Sequence, residues 1–126
     1  DPLARTLWKL VKTGGEREVI ASMEDAVALV ADADALYWPE RRRNQIRRVS
    51  KSGGETTTVV SERGPLVLDG TNVYWASGGL IKRAPKSGGA PVAISAGQTE
   101  AEGLAVDATH IYWLNIVDAT IMAAAK

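Results

Sequence analysis

A chain of 126 residues has the length of one ordinary domain, enough to bury about two thirds of its unfolded surface. Lysine plus arginine equals aspartate plus glutamate at 15 each, so no global field draws the protein to nucleic acid or to an anionic membrane surface. Cysteine is absent, which excludes disulfides, thiolate zinc sites and cysteine nucleophiles.

The amino end, Asp1-Pro2-Leu3-Ala4-Arg5, has neither the basic start nor the apolar core of a signal peptide. With no apolar run of about eighteen residues anywhere, the expectation is a soluble chain without membrane insertion, from which any leader has been removed. The first predicted element is a strand at Leu7-Trp8-Lys9-Leu10. Lys12-Thr13-Gly14-Gly15 follows, its glycines suited to the positive φ angles of a hairpin turn, and Val19-Ile20-Ala21 returns as the paired strand. Ser22-Met23-Glu24-Asp25-Ala26 is the stretch best suited to a helix, but it is too short to persist without packing.

Leu29-Val30-Ala31 is apolar at consecutive positions and is predicted to be a strand buried on both faces. Asp32-Ala33-Asp34-Ala35 makes a tight turn, in which the Asp32 carboxylate accepts backbone amides two or three residues on. In the strand Leu36-Tyr37-Trp38 the adjacent rings must point to opposite faces of the sheet. A connection crowded with Arg41, Arg42 and Arg43 leads into Ile46-Arg47-Arg48-Val49 and then Lys51-Ser52-Gly53-Gly54. From there the pattern repeats.

Leu66-Val67-Leu68-Asp69-Gly70-Thr71-Asn72-Val73-Tyr74-Trp75 and Leu104-Ala105-Val106-Asp107-Ala108-Thr109-His110-Ile111-Tyr112-Trp113 are further copies, each with the aspartate five residues before the tyrosine. Leu7, Ile46, Ile81 and Ile121 begin equivalent stretches at spacings of 39, 35 and 40, close to the period of four-stranded propeller blades. One period reads as strands A to D from the axis outward, with D (Val19-Ile20-Ala21, Thr58-Val59-Val60, Ala93-Ile94-Ser95) richer in serine and threonine, as suits an outer edge. No period has room for two helices, and no crossover helix fits an α/β sheet. The predicted fold class is therefore all-β, a β-propeller of four-stranded antiparallel blades with about three blades in the chain. A single repeat domain over 1–126 is expected, with repeats at about 7–45, 46–80 and 81–120 and a partial repeat at 121–126.

With Tyr-Trp followed by Ile-x-Arg and a Gly-Gly turn, the chain resembles the six-bladed β-propellers of the Tyr-Trp-Thr-Asp type found in lipoprotein-receptor ectodomains. Gly103-Leu104-Ala105-Val106-Asp107, Ile111-Tyr112-Trp113 and Ile81-Lys82-Arg83-Ala84-Pro85-Lys86-Ser87-Gly88-Gly89 are similar to repeats of large bacterial proteins of that type. The resemblance covers nearly the whole chain and implies an extracellular or periplasmic location. Where the family has Thr-Asp after the tryptophan, this sequence has Pro39-Glu40, Ala76-Ser77 and Leu114-Asn115.

Few constellations carry chemistry. Asp32, Asp69 and Asp107 recur as structural turn residues, although equivalent places round a ring would also let them converge on a cation. Arg41, Arg42, Arg43, Arg47 and Arg48 form the strongest local charge bias and are the candidate anion site, suited to clamping a carboxylate, sulfate or phosphate. Trp38, Trp75 and Trp113, at one strand position, are expected in the interblade core. Trp8 sits where other copies have Arg47, Lys82 and Met122, so a recognition or subunit contact is expected there. His110 is the single histidine, in a turn where other copies have Asn72 and Ala35, and it reads as a surface residue.

Without a nucleophile motif, a metal cluster or a cofactor motif, no catalytic residue, metal ligand or cofactor is assigned. The expected function is a non-catalytic scaffold that recognises a protein or glycan through its loop face, with no nucleic-acid partner. A competing expectation is a lactonase- or lyase-like propeller enzyme with a divalent metal in the axial channel near Glu24, Asp25, Glu100 and Glu102. A third is a fragment of a longer repeat protein. Because three blades cannot bury both end faces, a homodimer closing a six-bladed ring is the expected assembly. In that ring Leu7 to Lys12 and Ile121 to Lys126 compete for one strand C position.

Overall fold

The Gly-Gly and aspartate turns cut the chain into short extended segments, which in the computed structural model become thirteen strands among the described residues. Those residues are 4–10, 12–24, 26, 28–97 and 100–126. The strands pair only antiparallel, in four sheets. The first blade is β1 (Ala4–Lys9) and β2 (Glu18–Glu24). The second runs through β3 (Val30–Ala31), β4 (Ala35–Glu40), β5 (Gln45–Ser50) and β6 (Thr57–Val60). The third repeats it as β7 (Leu66–Leu68), β8 (Asn72–Ser77), β9 (Leu80–Pro85) and β10 (Val92–Ser95). The fourth is β11 (Ala101–Val106), β12 (His110–Asn115) and β13 (Thr120–Ala125).

The sheets are meanders in the order A, B, C, D, and the chain reads as C-D, A-B-C-D, A-B-C-D and A-B-C. Repeats counted from strand C therefore straddle two sheets. No helix occurs among the described residues. Ser22, Met23 and Glu24 continue β2, Asp25 lies outside the described residues, and Ala26 makes an isolated bridge to Glu40. Both glycines of each Gly-Gly turn have positive φ, 89° and 105° at Gly53 and Gly54, a region closed to most side chains. Each C–D pair also slips register at one place, between Leu7 and Trp8, Ile46 and Arg47, and Ile81 and Lys82. Bulges of this kind increase local twist.

Packing follows from strand B. In the second and third blades the tyrosine faces the following blade and the tryptophan the preceding one. Tyr37, Ile46, Val59 and Val60 of the second blade meet Val73, Trp75 and Ala84 of the third. Tyr74 and Ile81 of the third meet Ile111 and Trp113 of the fourth, and Leu7 of the first meets Trp38 and Val49 of the second. Strands β3, β7 and β11 touch in succession, so the A strands line the axial side. They are only half-buried, which corrects the expectation of burial on both faces. Among the described residues no sheet packs against their axial side, and the most buried strand is B instead.

Candidate functional site

Three copies of one cradle form at the A–B turns. Asp32 Oδ1 accepts the amides of Asp34 and Ala35 at 2.8 and 2.7 Å, Asp69 Oδ1 those of Thr71 and Asn72 at 2.9 and 2.8 Å, and Asp107 Oδ1 those of Thr109 and His110 at 2.9 and 2.8 Å. A carboxylate so held closes the turn and leaves Oδ2 available. The tyrosine five residues on donates its hydroxyl to that oxygen, at 3.2 Å from Tyr37, 2.6 Å from Tyr74 and 2.5 Å from Tyr112.

A lysine from the following blade completes the arrangement. Lys86, after β9, reaches back to Asp32 Oδ2 at 2.8 Å, and Lys126, after β13, reaches back to Asp69 Oδ2 at 2.7 Å. Burial alone would raise the Asp32 carboxyl, but the Lys86 ammonium and the amides of Asp34 and Ala35 outweigh it and hold it well below the usual carboxylate range. Asp69 behaves alike, with burial overcome by Lys126 and Tyr74. Tyr74 is pushed up by burial and by Asp69, and Tyr112 by Asp107. Each joint thus fixes a charge pair and a phenol across two blades.

Beside the joint of the second and third blades lies an open depression of about 500 Å³, lined by Asp32, Asp34, Tyr37, Arg48, Asp69 and Lys86 among others. Arg48 donates from Nε to the Tyr37 hydroxyl at 3.0 Å, with its guanidinium 5.7 Å from the ring centroid. The structure does not bring all five candidate arginines together. Arg47 and Arg48, consecutive on β5, diverge to opposite faces as the strand period requires. Arg47 approaches Glu40 at 3.5 Å and bonds Gln45 and Thr58, and Arg43 approaches Glu40 at 3.8 Å. Arg41, Arg42 and Arg43 occupy the exposed B–C turn, on the end of the sheet opposite the aspartate cradles.

Trp38, Trp75 and Trp113 lie in the buried clusters between blades. His110 is exposed, with Nδ1 2.7 Å from the Thr109 hydroxyl. Trp8 is exposed and carries the Arg17 guanidinium 4.0 Å above its ring. Of the acidic residues expected at a channel mouth, Glu24 ends β2, Glu100 and Glu102 stand at or near the start of β11, and Asp25 lies outside the described residues. Among the described residues no three histidine, aspartate or glutamate side chains gather in a metal-ligating group.

Sequence reasoning missed one further joint. Glu62, in the connection from β6 to β7, accepts from Trp75 Nε1 at 3.3 Å and from Lys82 Nζ at 2.8 and 2.9 Å. Trp75 and Lys82 are cross-strand neighbours, so a carboxylate arriving from the preceding blade meets both donors. A glutamate in the D–A connection ahead of a Trp/Lys pair was the available signal.

Comparison with protein-family models finds no match, and no curated protein matches the sequence. Among solved structures the chain is similar to one in the crystal structure of a nidogen/laminin complex, with a TM-score of 0.68 and 19% identity over 86% of this chain and 51% of that one. The likeness establishes a β-propeller-like fold, and the chain spans about half the length of the neighbour it matches.

Proposed function

We propose that the chain is a non-catalytic propeller module that recognises a protein or glycan partner through a loop-bearing face, and that two copies join as a six-bladed ring of the Tyr-Trp-Thr-Asp type. The observation that carries this reading is the repeated blade joint. It is complete between the second and third blades and between the third and fourth, and among the described residues Lys51 and Asp107 are its members without a charged partner. On this reading the repeats at about 7–45, 46–80 and 81–120, with 121–126, form one continuous unit. The similar structure is of a nidogen/laminin complex, which supports a propeller scaffold as a platform for protein recognition.

The depression beside Asp32 and Lys86 mixes both charges with a phenol on a face fixed by two blades, a lining that suits a polar ligand such as a glycan or a charged peptide. The opposite end carries the Arg41-Arg42-Arg43 turn, which we assign to acidic groups of a partner, with Arg47 held behind it by Glu40, while Arg48, bonded to Tyr37, belongs to the lining of the depression. Glycan and peptide arrays test the assignment. Wild-type binding is expected to be lost on Ala33→Trp or Ser87→Trp, which fill the depression without touching a joint residue, or on neutralising Arg41 and Arg42 together. Binding that survives all of these changes removes both faces from the reading. Tight, stoichiometric uptake of calcium or zinc by calorimetry would overturn the pure scaffold in favour of a channel metal.

A further inference from the structure

We infer that Lys51 of one copy closes onto Asp107 of a second copy, forming the same joint that Lys86 and Lys126 form within the chain; the inference rests on the two-copy ring proposed above. Lys51, Lys86 and Lys126 hold one structural place. Each follows a C strand, and each donates its backbone amide to the A–B turn of its own blade: Lys51 to the Asp34 carbonyl at 2.9 Å, Lys86 to Thr71 at 3.1 Å and Lys126 to Thr109 at 3.1 Å. With the backbone pinned alike, the side chains of Lys86 and Lys126 cross to the aspartate one blade back.

Lys51 meets no such aspartate among the described residues, where the blade before it shows β1 and β2 and no A–B turn. Among the described residues its ammonium has no carboxylate partner. Asp107 shows the complementary defect: among the described residues no lysine reaches its carboxylate. One end of the chain therefore presents the donor of a joint and the other end the acceptor.

The apolar surface is unmatched in the same way. Leu10 is 59% exposed, whereas its equivalents Val49 and Ala84 are each 1% exposed; Ile121 is 77% exposed, whereas Ile46 and Ile81 are fully buried. The difference is not chemical. The inner residues are covered by a neighbouring blade, and Leu10 and Ile121 lie on the outer faces.

The two-copy ring proposed above supplies the occupant, a second copy of this chain. The fourth blade has A, B and C, and the first has C and D, so β11 and β12 of one copy with β2 of the other make a complete blade once one C strand is used. If β13 keeps that place, β1 of the second copy is displaced. If β1 takes it, Lys12 of the second copy stands where Lys126 stood. In either arrangement the next blade round the ring is the second blade of the second copy, and the lysine facing Asp107 is Lys51. Two-fold symmetry makes the joint twice.

Light scattering at micromolar concentration tests this through charge exchange. Wild type is expected at twice the 13.4 kDa chain mass. Lys51→Glu and Asp107→Lys each place like charges at both junctions and are expected to weaken the dimer by at least about tenfold. Mixing the two variants pairs opposite charges at both junctions, so the dimer mass should return. Should Asp107→Lys disturb its turn by circular dichroism, Asp107→Asn keeps the oxygen that accepts the two amides and supplies the loss arm. Carbodiimide coupling of mixed isotope-labelled and unlabelled protein then reads the joint directly, as a Lys51–Asp107 link between chains, with Lys86–Asp32 as the intrachain control. A monomeric wild type overturns the two-copy ring and this joint with it, leaving the end faces to further blades. A wild-type dimer that Lys51→Glu and Asp107→Asn leave unchanged, or that carries no interchain Lys51–Asp107 link, overturns the joint alone.

Discussion

Lys86 Nζ stands 2.8 Å from Asp32 Oδ2 although 54 residues separate them, and the bond runs from the third blade back to the second. Both side chains are largely shielded, at 16% and 21% exposure, so the pair is screened less than a surface ion pair. Lys86→Met keeps the aliphatic stem and removes the charge, leaving the Asp32 carboxylate one donor short. A loss of about 1–2 kcal/mol is expected, read as a lower urea midpoint with an unchanged slope.

The Asp69 joint makes stability depend on pH at both ends of the scale. The Asp69 carboxyl is depressed in the folded chain, so its contribution is fully present above the ordinary value of 3.8 and is lost as pH falls below it. Lys126 is raised by Asp69, and Tyr74 by burial and Asp69, so their contributions are complete below the ordinary 10.5 and 10.0 and are lost as pH rises through the folded values. Melting temperatures should form a plateau between these limits and fall on both sides. Asp69→Asn should lower the plateau and flatten the acid limb, and an unchanged acid limb would assign acid unfolding to other carboxylates.

Gly64 lies where the connection from β6 to β7 passes against β8. A Cβ built there would come 1.9 Å from the Ala76 carbonyl oxygen, and that strand is held by the bond from the Ala76 amide to the Pro65 carbonyl at 3.2 Å. Backbone cannot step aside as a flexible side chain does. Gly64→Ala should cost about 1–3 kcal/mol by overpacking, measured as a shift in the denaturant midpoint. An unchanged midpoint would show that the connection relaxes freely.

His110 occupies an exposed turn position that Asn72 and Ala35 fill in the other copies, and its backbone amide, rather than its ring, bonds Asp107. His110→Ala is expected to change stability by no more than about 0.5 kcal/mol and to leave binding intact. Loss of binding with the fold retained would reveal a role for the imidazole.

Local spacing determines much of the architecture. An aspartate two and three residues before two amides can cap its own turn, and adjacent rings on an extended strand must diverge, so the A–B turn and the opposed faces of Tyr37 and Trp38 require nothing beyond nearest neighbours in the chain. The same period-two geometry, applied to Arg47 and Arg48, separates the arginine cluster that sequence proximity suggested. The repeats carry the rest of the fold class, because four copies of one strand pattern leave antiparallel meanders as the only short-connection solution.

Contacts between blades are another matter. The Lys-Ser-Gly-Gly segments read as hairpin turns, and nothing in their spacing says that the lysine serves the aspartate of the blade before; nor does Glu62 announce that it will meet Trp75 and Lys82. Exposure is decided at the same level, since Ile81 and Ile121 are one residue type in one repeat position, buried in one case and open in the other. By itself the sequence determined strands, turns and the order of blades, which depend on backbone torsions and residues a few positions apart. Only the tertiary structure decided which charges pair and which apolar faces are left uncovered, because those depend on how one sheet is rotated and stacked against the next.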